Sequence, residues 1–220
     1  MMYFTKGVAV ISAVCTGAVC SAADDSARPY ALEVGFVANL AATDIVKDES
    51  IGSFKLHTMG VDLTGVYARD AHHAFTLRLG YAQGEASESA MVGDGYYEVE
   101  GKLSSFYVMP GYRYTMPISE HWSSHLGVNV GLICHSAEEK ETWDDQSWVK
   151  VRDSAYGVAG SIELGLTYKR SERISYAIAY QFSGSTARPK LKWSDGEATY
   201  STTLRAQVYH TFRVGMSYHF

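Results

Sequence analysis

The sequence predicts an all-β protein, an eight-stranded antiparallel transmembrane β-barrel of the up-and-down type. Eight segments alternate large apolar residues with small or polar ones, as strands with two different faces do. The connections between them are alternately short and long, and the polar faces carry few charges. An even number of strands of about ten residues, with short turns at one rim and long polar loops at the other, is typical of bacterial outer-membrane barrels.

The composition agrees with this fold. Glycine (20) and tyrosine (16) are plentiful, whereas proline (4) is scarce, which favours long uninterrupted strands. The net charge of −5 and the pI of about 5.9 give no basic footprint for nucleic acid, so no nucleic-acid partner is expected.

Residues 1–22 have the features of a secretory signal peptide, with cleavage after Ala22 or Ala23, and residues 23–220 form the predicted barrel domain. Lys6 supplies the positive charge and residues 7–19 the apolar core, which is too short to span a bilayer as a helix. Cys15 and Cys20 would leave with this segment. Cys134 would then be the one cysteine of the exported chain, so no intrachain disulfide is expected.

The alternation defines eight strands in chain order: residues 30–39, 58–67, 74–83, 105–115, 125–133, 156–168, 174–182 and 212–220. Pro110 interrupts the fourth, and because proline lacks a backbone donor we expect a local bulge there. Short connections follow the second, fourth and sixth strands and are predicted to be periplasmic. Long polar connections of roughly 15 to 20 residues follow the first, third, fifth and seventh strands and are predicted to be four extracellular loops.

The polar faces distinguish a membrane barrel from a soluble one. A water-washed face should be rich in Lys, Glu and Asp, yet these faces carry mostly Gly, Ser, Thr and Ala. Tyrosines also cluster near strand ends, as in the aromatic girdles at the two lipid–water interfaces. A soluble barrel that hides its apolar face inside remains the alternative.

Six charged residues share the predicted inner face, three acids and three bases. An eight-stranded interior is just wide enough for side chains to fill, and charges buried there must pair. We therefore expect an interior charge cluster, either a static plug or a switchable ion path. Its members are Glu33, Asp62, Arg78, Arg113, Glu163 and Arg213.

The last predicted strand has an aromatic outer face. In a closed barrel it would pair with the first strand, so that neither is an exposed edge. Its alternating residues resemble the signal read by the outer-membrane assembly machinery, an expected partner. Those residues are Phe212, Val214, Met216, Tyr218 and Phe220.

The mature chain as a whole resembles the small OmpA/OmpX-type eight-stranded barrels. The resemblance is architectural and implies an outer-membrane location among lipids and lipopolysaccharide, with a monomeric state. Architecture does not fix function. The function favoured is non-enzymatic: envelope integrity, adhesion, or both.

Two other classes stay open. Some small outer-membrane barrels modify lipid A, which would need a nucleophile, a base and an acid in one place. His135 and Ser136 are adjacent and should point to opposite faces of their strand, so no catalytic residues are predicted. A small gated pore is the second alternative. We found no nucleotide-binding or zinc motif, a metal role for His72 and His73 is weak, and no cofactor is predicted.

The long loops carry aromatic residues among acidic ones. Such residues supply contact area to an extracellular or host-surface partner, or they pack loop on loop. The candidates are Tyr96, Tyr97, Trp143, Trp148 and Trp193.

Overall fold

The computed structural model describes residues 28–42, 46–48, 52–54, 56–92, 95–143, 146–194 and 199–220. The predicted signal peptide lies outside these residues, so its boundary stays a prediction. The described strands are β1 (Tyr30–Ala41), β2 (Val46–Asp48), β3 (Gly52–Phe54), β4 (Thr58–Ala68), β5 (His73–Val92), β6 (Gly95–Pro117), β7 (Trp122–Trp143), β8 (Gln146–Lys169), β9 (Ile174–Ser185), β10 (Lys190–Ser194), β11 (Thr199–Thr203) and β12 (Val208–His219). Among the described residues, no helix is long and apolar enough to cross a membrane.

Eight of these strands close into an antiparallel barrel, in the order β1, β12, β9, β8, β7, β6, β5, β4 and back to β1. The first and last strands pair over most of their length, from Ala31 opposite His219 to Ala41 opposite Tyr209. The backbone N–H of Phe220 adds a hydrogen bond to the carbonyl of Tyr30 at 2.9 Å. The predicted fold class and the pairing of the first and last strands are therefore confirmed.

The outer face of the barrel is apolar. Phe36, Met59 and Leu132 point outward and are 67%, 72% and 69% exposed. At the rim formed by the short turns, aromatic rings contact in pairs, with centroids 5.3 Å apart for Tyr30 and Tyr67 and 5.0 Å apart for Trp122 and Tyr168. This belt and girdle are the surface that a barrel presents to a bilayer.

Two of the predicted long loops are strand. β5 and β6 stay paired as far as Val92 and Gly95, and β7 and β8 as far as Trp143 and Gln146. Hydrophobic alternation ends in these segments of the sequence, although the backbone pairing continues. The predicted loops therefore correspond to a sheet that projects beyond the barrel.

The bulge expected at Pro110 is wrong. β6 and β7 keep one register on both sides, with Val108 opposite Leu132 and Gly111 opposite Asn129, and only the pairing of the intervening Met109 and Pro110 is interrupted. The missing N–H of Pro110 removes a hydrogen bond without inserting a residue.

Candidate functional site

The centre of the barrel lumen is filled by the six predicted charged residues, here called the charge ring. Glu33 accepts two hydrogen bonds from Arg113, at 2.5 and 3.0 Å, and one from Nη1 of Arg213 at 3.3 Å. Asp62 accepts from Nε of Arg213 at 2.9 and 3.0 Å, and its Oδ2 lies 3.7 Å from Nε of Arg78. Each of these carboxylates therefore bridges two guanidinium groups.

Glu163 completes the ring. Its Oε2 accepts from Nη2 of Arg78 at 2.5 Å, and its Oε1 lies 3.6 Å from Nη2 of Arg113. The same Oε1 is 3.2 Å from Nε2 of His125, whose Nδ1 is 3.4 Å from the hydroxyl of Thr167. Acids and bases thus alternate around a closed circuit in which every charge has neighbours of the opposite sign. All six residues are buried.

Every barrel strand contributes one side chain to this level. Six strands supply the ring itself, β7 supplies His125, and β9 supplies Gln181, whose Oε1 accepts a 2.6 Å hydrogen bond from Nη1 of Arg78. His125 and Gln181 were missed in the sequence. Both occupy the same alternation phase as the buried charges of neighbouring strands, and this signal would have found them.

A small cavity of about 40 Å³ lies on the hairpin side of the ring. Its lining includes Gln181, Tyr107 and Tyr209, and the hydroxyl of Tyr209 has no hydrogen-bond partner among the described residues. His135 also lines the cavity, with Nδ1 2.7 Å from the hydroxyl of Ser105 and Nε2 3.1 Å from that of Ser185. Both ring nitrogens have hydroxyl partners, so this group orients an imidazole without a carboxylate among the described residues.

Ser136, the neighbour of His135, points to the other side of β7. It lies 3.0 Å from the hydroxyl of Ser154, outside the lumen. At the short-turn rim, His72 stacks on Tyr114 with centroids 5.9 Å apart, and His73 hydrogen-bonds the hydroxyl of Tyr112. Within the described ranges, no three His, Cys, Asp or Glu side chains are grouped so as to hold a metal ion.

The hairpin end of the lumen is closed by an apolar cap. Leu56, Leu103, Ala137, Leu191 and Leu204 form one buried cluster, and Met109, Ile133, Ala159 and Ala187 form a second. Sequence reasoning missed this cap, because its members are scattered over the inner faces of β6, β7 and β8 and over connections that have no periodicity of their own.

Residues 186–191 form a strap that runs over this end. Val158 and Thr186 exchange hydrogen bonds: the backbone N–H of Thr186 donates to the carbonyl of Val158, and the backbone N–H of Val158 donates to Oγ1 of Thr186, both at 2.9 Å. A Cβ at Gly157 would lie 2.4 Å from the backbone nitrogen of Ala187, so only glycine lets the strap lie this close to β8. The lumen is therefore filled by the charge ring at its centre and by the cap and strap at its hairpin end.

The aromatic residues singled out in the long connections fall in two places. Tyr96 and Tyr97 on β6 and Trp143 on β7 lie at the tip of the projecting sheet, where Tyr97 is opposite Trp143. Trp148 is on β8 of the same sheet, whereas Trp193 is on β10 in a separate hairpin. Tyr96 is exposed, and the other four side chains are not among those that the structure describes.

No protein-family model matches this sequence, and no curated protein matches it. Among solved structures, the outer-membrane protein OprG from Pseudomonas aeruginosa is similar over 87% of this chain and 95% of its own, with 12% identity and a TM-score of 0.52. The chain has the fold of a small outer-membrane β-barrel.

Looser matches include Ail, the attachment invasion locus protein of Yersinia pestis, with 15% identity over 87% of this chain and 97% of its own and a TM-score of 0.48. The outer-membrane protease OmpT of Escherichia coli matches with 8% identity over 91% of this chain and 99% of its own, at a TM-score of 0.47. At these identities the likeness concerns the fold alone.

Proposed function

We propose that this protein is a non-enzymatic surface-interaction protein of the outer membrane, whose barrel is a rigid support for the projecting sheet. The observation that carries the proposal is the paired continuation of β5, β6, β7 and β8 beyond the barrel, which has one register shift, between Glu141 and Thr142 in the β7–β8 pair. β6 is paired on both sides as far as Tyr97, which is opposite Ala90 of β5 and Trp143 of β7. A hairpin supported in this way is a preformed surface rather than a mobile loop.

The projecting sheet has an edge that suits an extended peptide. Pairing between β4 and β5 ends at Met59 opposite Gln83, and among the described strands none pairs with that side of β5 from Glu85 to Val92. A strand edge offers backbone N–H and C=O groups to an incoming strand, which gives affinity with little dependence on the partner's sequence. The exposed ring of Tyr96 at the tip adds contact area.

The filled barrel supports the second part of the proposal, a contribution to envelope integrity. The charge ring and the cap occupy the lumen, so the barrel adds a lipid-embedded element without opening a wide aqueous path. Its partners in this role are the lipids and lipopolysaccharide around its apolar belt.

A pair of shortened hairpins tests the surface role. Replacing residues 86–101 with Asn-Gly keeps Glu85 opposite Lys102 and removes the free edge of β5. The control replaces residues 139–151 with Asn-Gly, which keeps Glu138 opposite Arg152 and leaves that edge in place. Cells that carry each variant are scored for adhesion to host cells or matrix and for leakage of a periplasmic enzyme.

We expect the first variant to lose about tenfold or more in adhesion, because the edge supplies the backbone hydrogen bonds. The control keeps that edge but removes the β7 partners of β6 beyond Glu138, so it should lose less. Both variants should seal the envelope as the wild type does, because neither alters the lumen. Equal adhesion by wild type and the first variant, at equal surface levels, would contradict the proposal.

Two alternatives rest on specific observations. The pairing of His135 with Ser105 and Ser185 favours a lipid-modifying enzyme, and a loss of lipid A modification in His135→Ala cells would support it. The ring of ion pairs favours a gated pore, and wild-type openings in planar bilayers that shift on Arg113→Ala would support that reading.

A further inference from the structure

The strap over the hairpin end of the barrel has two different faces. Ala187, Pro189 and Leu191 are buried and point down into the apolar cap, whereas Arg188 and Lys190 are exposed. The alternation follows from the extended backbone, in which successive side chains point in opposite directions. Two positive charges are thereby directed away from the barrel on one face of the strap.

A third positive charge joins this face through the β10–β11 hairpin. Lys190 is opposite Thr203, and the backbone N–H of Leu204 donates to the carbonyl of Pro189 at 2.9 Å. Continuing this antiparallel register places Arg188 opposite Arg205. Leu204 is buried in the cap and Arg205 is exposed, so the two arginines share the outward face.

Two like charges directly opposite one another on paired segments destabilise the pairing. No ion-pair partner is found for the side chain of Arg188 or Arg205 among the described residues. The nearby Asp153 uses its Oδ2 to accept a 2.5 Å hydrogen bond from the backbone N–H of Lys190. Within the part of the chain that the structure describes, the strap and the segment beside it therefore place three positive side chains on one exposed face.

We infer that Arg188, Arg205 and Lys190 form a binding site for the phosphate or sulfate groups of a polyanionic glycan. Guanidinium groups suit the planar, bidentate recognition of such oxyanions, the backbone register sets the two arginines opposite one another, and Lys190 adds a point charge on the same face. The anion would relieve the repulsion between the arginines. This site rests on the proposed surface role and supplies one class of ligand for it.

Phosphate or sulfate groups of this kind occur on two classes of molecule: the surrounding lipopolysaccharide, and sulfated or phosphorylated glycans outside the cell. Purified full-length protein in detergent is titrated with inositol hexaphosphate and with inositol hexasulfate, which share one scaffold. A second arm places the protein in nanodiscs that contain lipid A with or without its phosphates, and repeats the titrations.

We expect both soluble anions to raise the unfolding temperature of the wild type above the value in sodium chloride of equal ionic strength. The double variant Arg188→Ala/Arg205→Ala should bind them about tenfold or more weakly, and without anion it should unfold no earlier than the wild type. Arg170→Ala, which removes an exposed arginine from a short turn, is the matched control and should bind normally. If phosphorylated lipid A alone competes with the soluble anions, the source is the membrane; if it does not, the source is outside the cell.

An unchanged affinity in the double variant, or an equal loss in Arg170→Ala, would overturn the inference. The variant with the shortened β5–β6 hairpin keeps Arg188, Lys190 and Arg205. A loss of adhesion in that variant would therefore not count against the anion site. Conversely, loss of the anion site alone would leave the edge of β5 as the contact surface.

Discussion

Arg213 and Asp62 meet across Gly35. They lie on β12 and β4, with β1 between them, and Nε of Arg213 is 3.0 and 2.9 Å from the two carboxylate oxygens of Asp62. A Cβ on Gly35 would lie 2.6 Å from both Nε of Arg213 and Oδ1 of Asp62. One missing side chain on the first strand thus makes room for the ion pair that joins its two neighbours.

Removing Arg213 should destabilise the barrel more than a surface change would. Arg213→Ala leaves Asp62 with Arg78 alone, at 3.7 Å, and Glu33 with Arg113 alone, and we expect a loss of about 3–5 kcal/mol in the free energy of unfolding. The measurement is urea or thermal unfolding in detergent, followed by the mobility shift of the folded barrel on gels.

A second substitution added to Arg213→Ala identifies the ion-pair partner of Arg213. Asp62→Asn added to Arg213→Ala should recover much of the loss, because it removes the stranded charge. Glu163→Gln should recover less, since the ion pairs of Glu163 are with Arg78 and Arg113. Equal rescue by the two changes would mean that the ring acts through its net charge and not through its geometry.

Filling the gap at Gly35 should break the same pair without removing a charge. In Gly35→Ala the new methyl group displaces Arg213 and Asp62, and overpacking of this kind costs about 1–3 kcal/mol. Gly65→Ala is the control, because its nearest neighbour would be the carbonyl of Leu77 at 4.0 Å, and its effect should stay within about 0.5 kcal/mol. Chemical denaturation of both variants in detergent measures the difference.

Deletion of Phe220 should reduce folding into the membrane more than synthesis. Its backbone N–H donates to the carbonyl of Tyr30, and its ring lies 5.1 Å from that of Tyr218, so the deletion removes a contact at the barrel seam. We expect less heat-modifiable protein in the outer-membrane fraction at an unchanged total amount. An unaltered surface level would show that this residue is dispensable for assembly.

Cys134 should react slowly with a charged thiol reagent. It lies opposite Phe106 and Tyr156 on the two adjacent strands, in the phase of the exposed apolar residues, and it is half-buried. A charged reagent enters the lipid around this face poorly, so labelling of intact cells with a charged maleimide should lag behind labelling by a membrane-permeant one. Equal rates for the two reagents would place the thiol in water.

Asp70 in a short turn should contribute a pH-dependent stability. The backbone N–H groups of His72 and His73 donate to its Oδ1 at 2.8 and 2.9 Å and hold the pKa of the carboxyl below its usual range. A lowered folded-state pKa contributes stability above the ordinary carboxyl pKa, and this is lost as the pH falls through the lowered value. The ¹³C chemical shift of the Asp70 carboxyl should titrate below that of a model peptide, and Asp70→Asn should reduce the acid sensitivity of unfolding.

The sequence predicted the strands of the barrel better than it predicted which side chains pair in the lumen. Leu63 and Asp62 illustrate the reason: alternation assigns one to lipid and the other to the lumen, and register then follows from turn positions. Which acid meets which base depends on the closure of the sheet. The approach of Arg213 to Asp62 spans 151 positions in the chain, and no local pattern encodes it.

The projecting sheet and the strap were not predicted, because hydrophobic alternation in the sequence does not reveal them. Beyond Gln83 the pairing of β5 with β6 persists without the hydrophobic alternation that reveals strands. The strap also alternates buried and exposed side chains, but three buried residues are too few to form a recognisable pattern in the sequence. Arg188 and Arg205 become neighbours only when Leu204 is paired with Pro189.

The distribution of the charge ring over the strands has a consequence for assembly. Glu33 is on the first strand and Arg213 on the last, and the two meet only when β1 and β12 have paired. A slip of one residue in that pairing would turn Arg213 toward the lipid and leave Glu33 and Asp62 each with one cation fewer. The register that closes the barrel is therefore also the register in which all six charges lie beside charges of opposite sign.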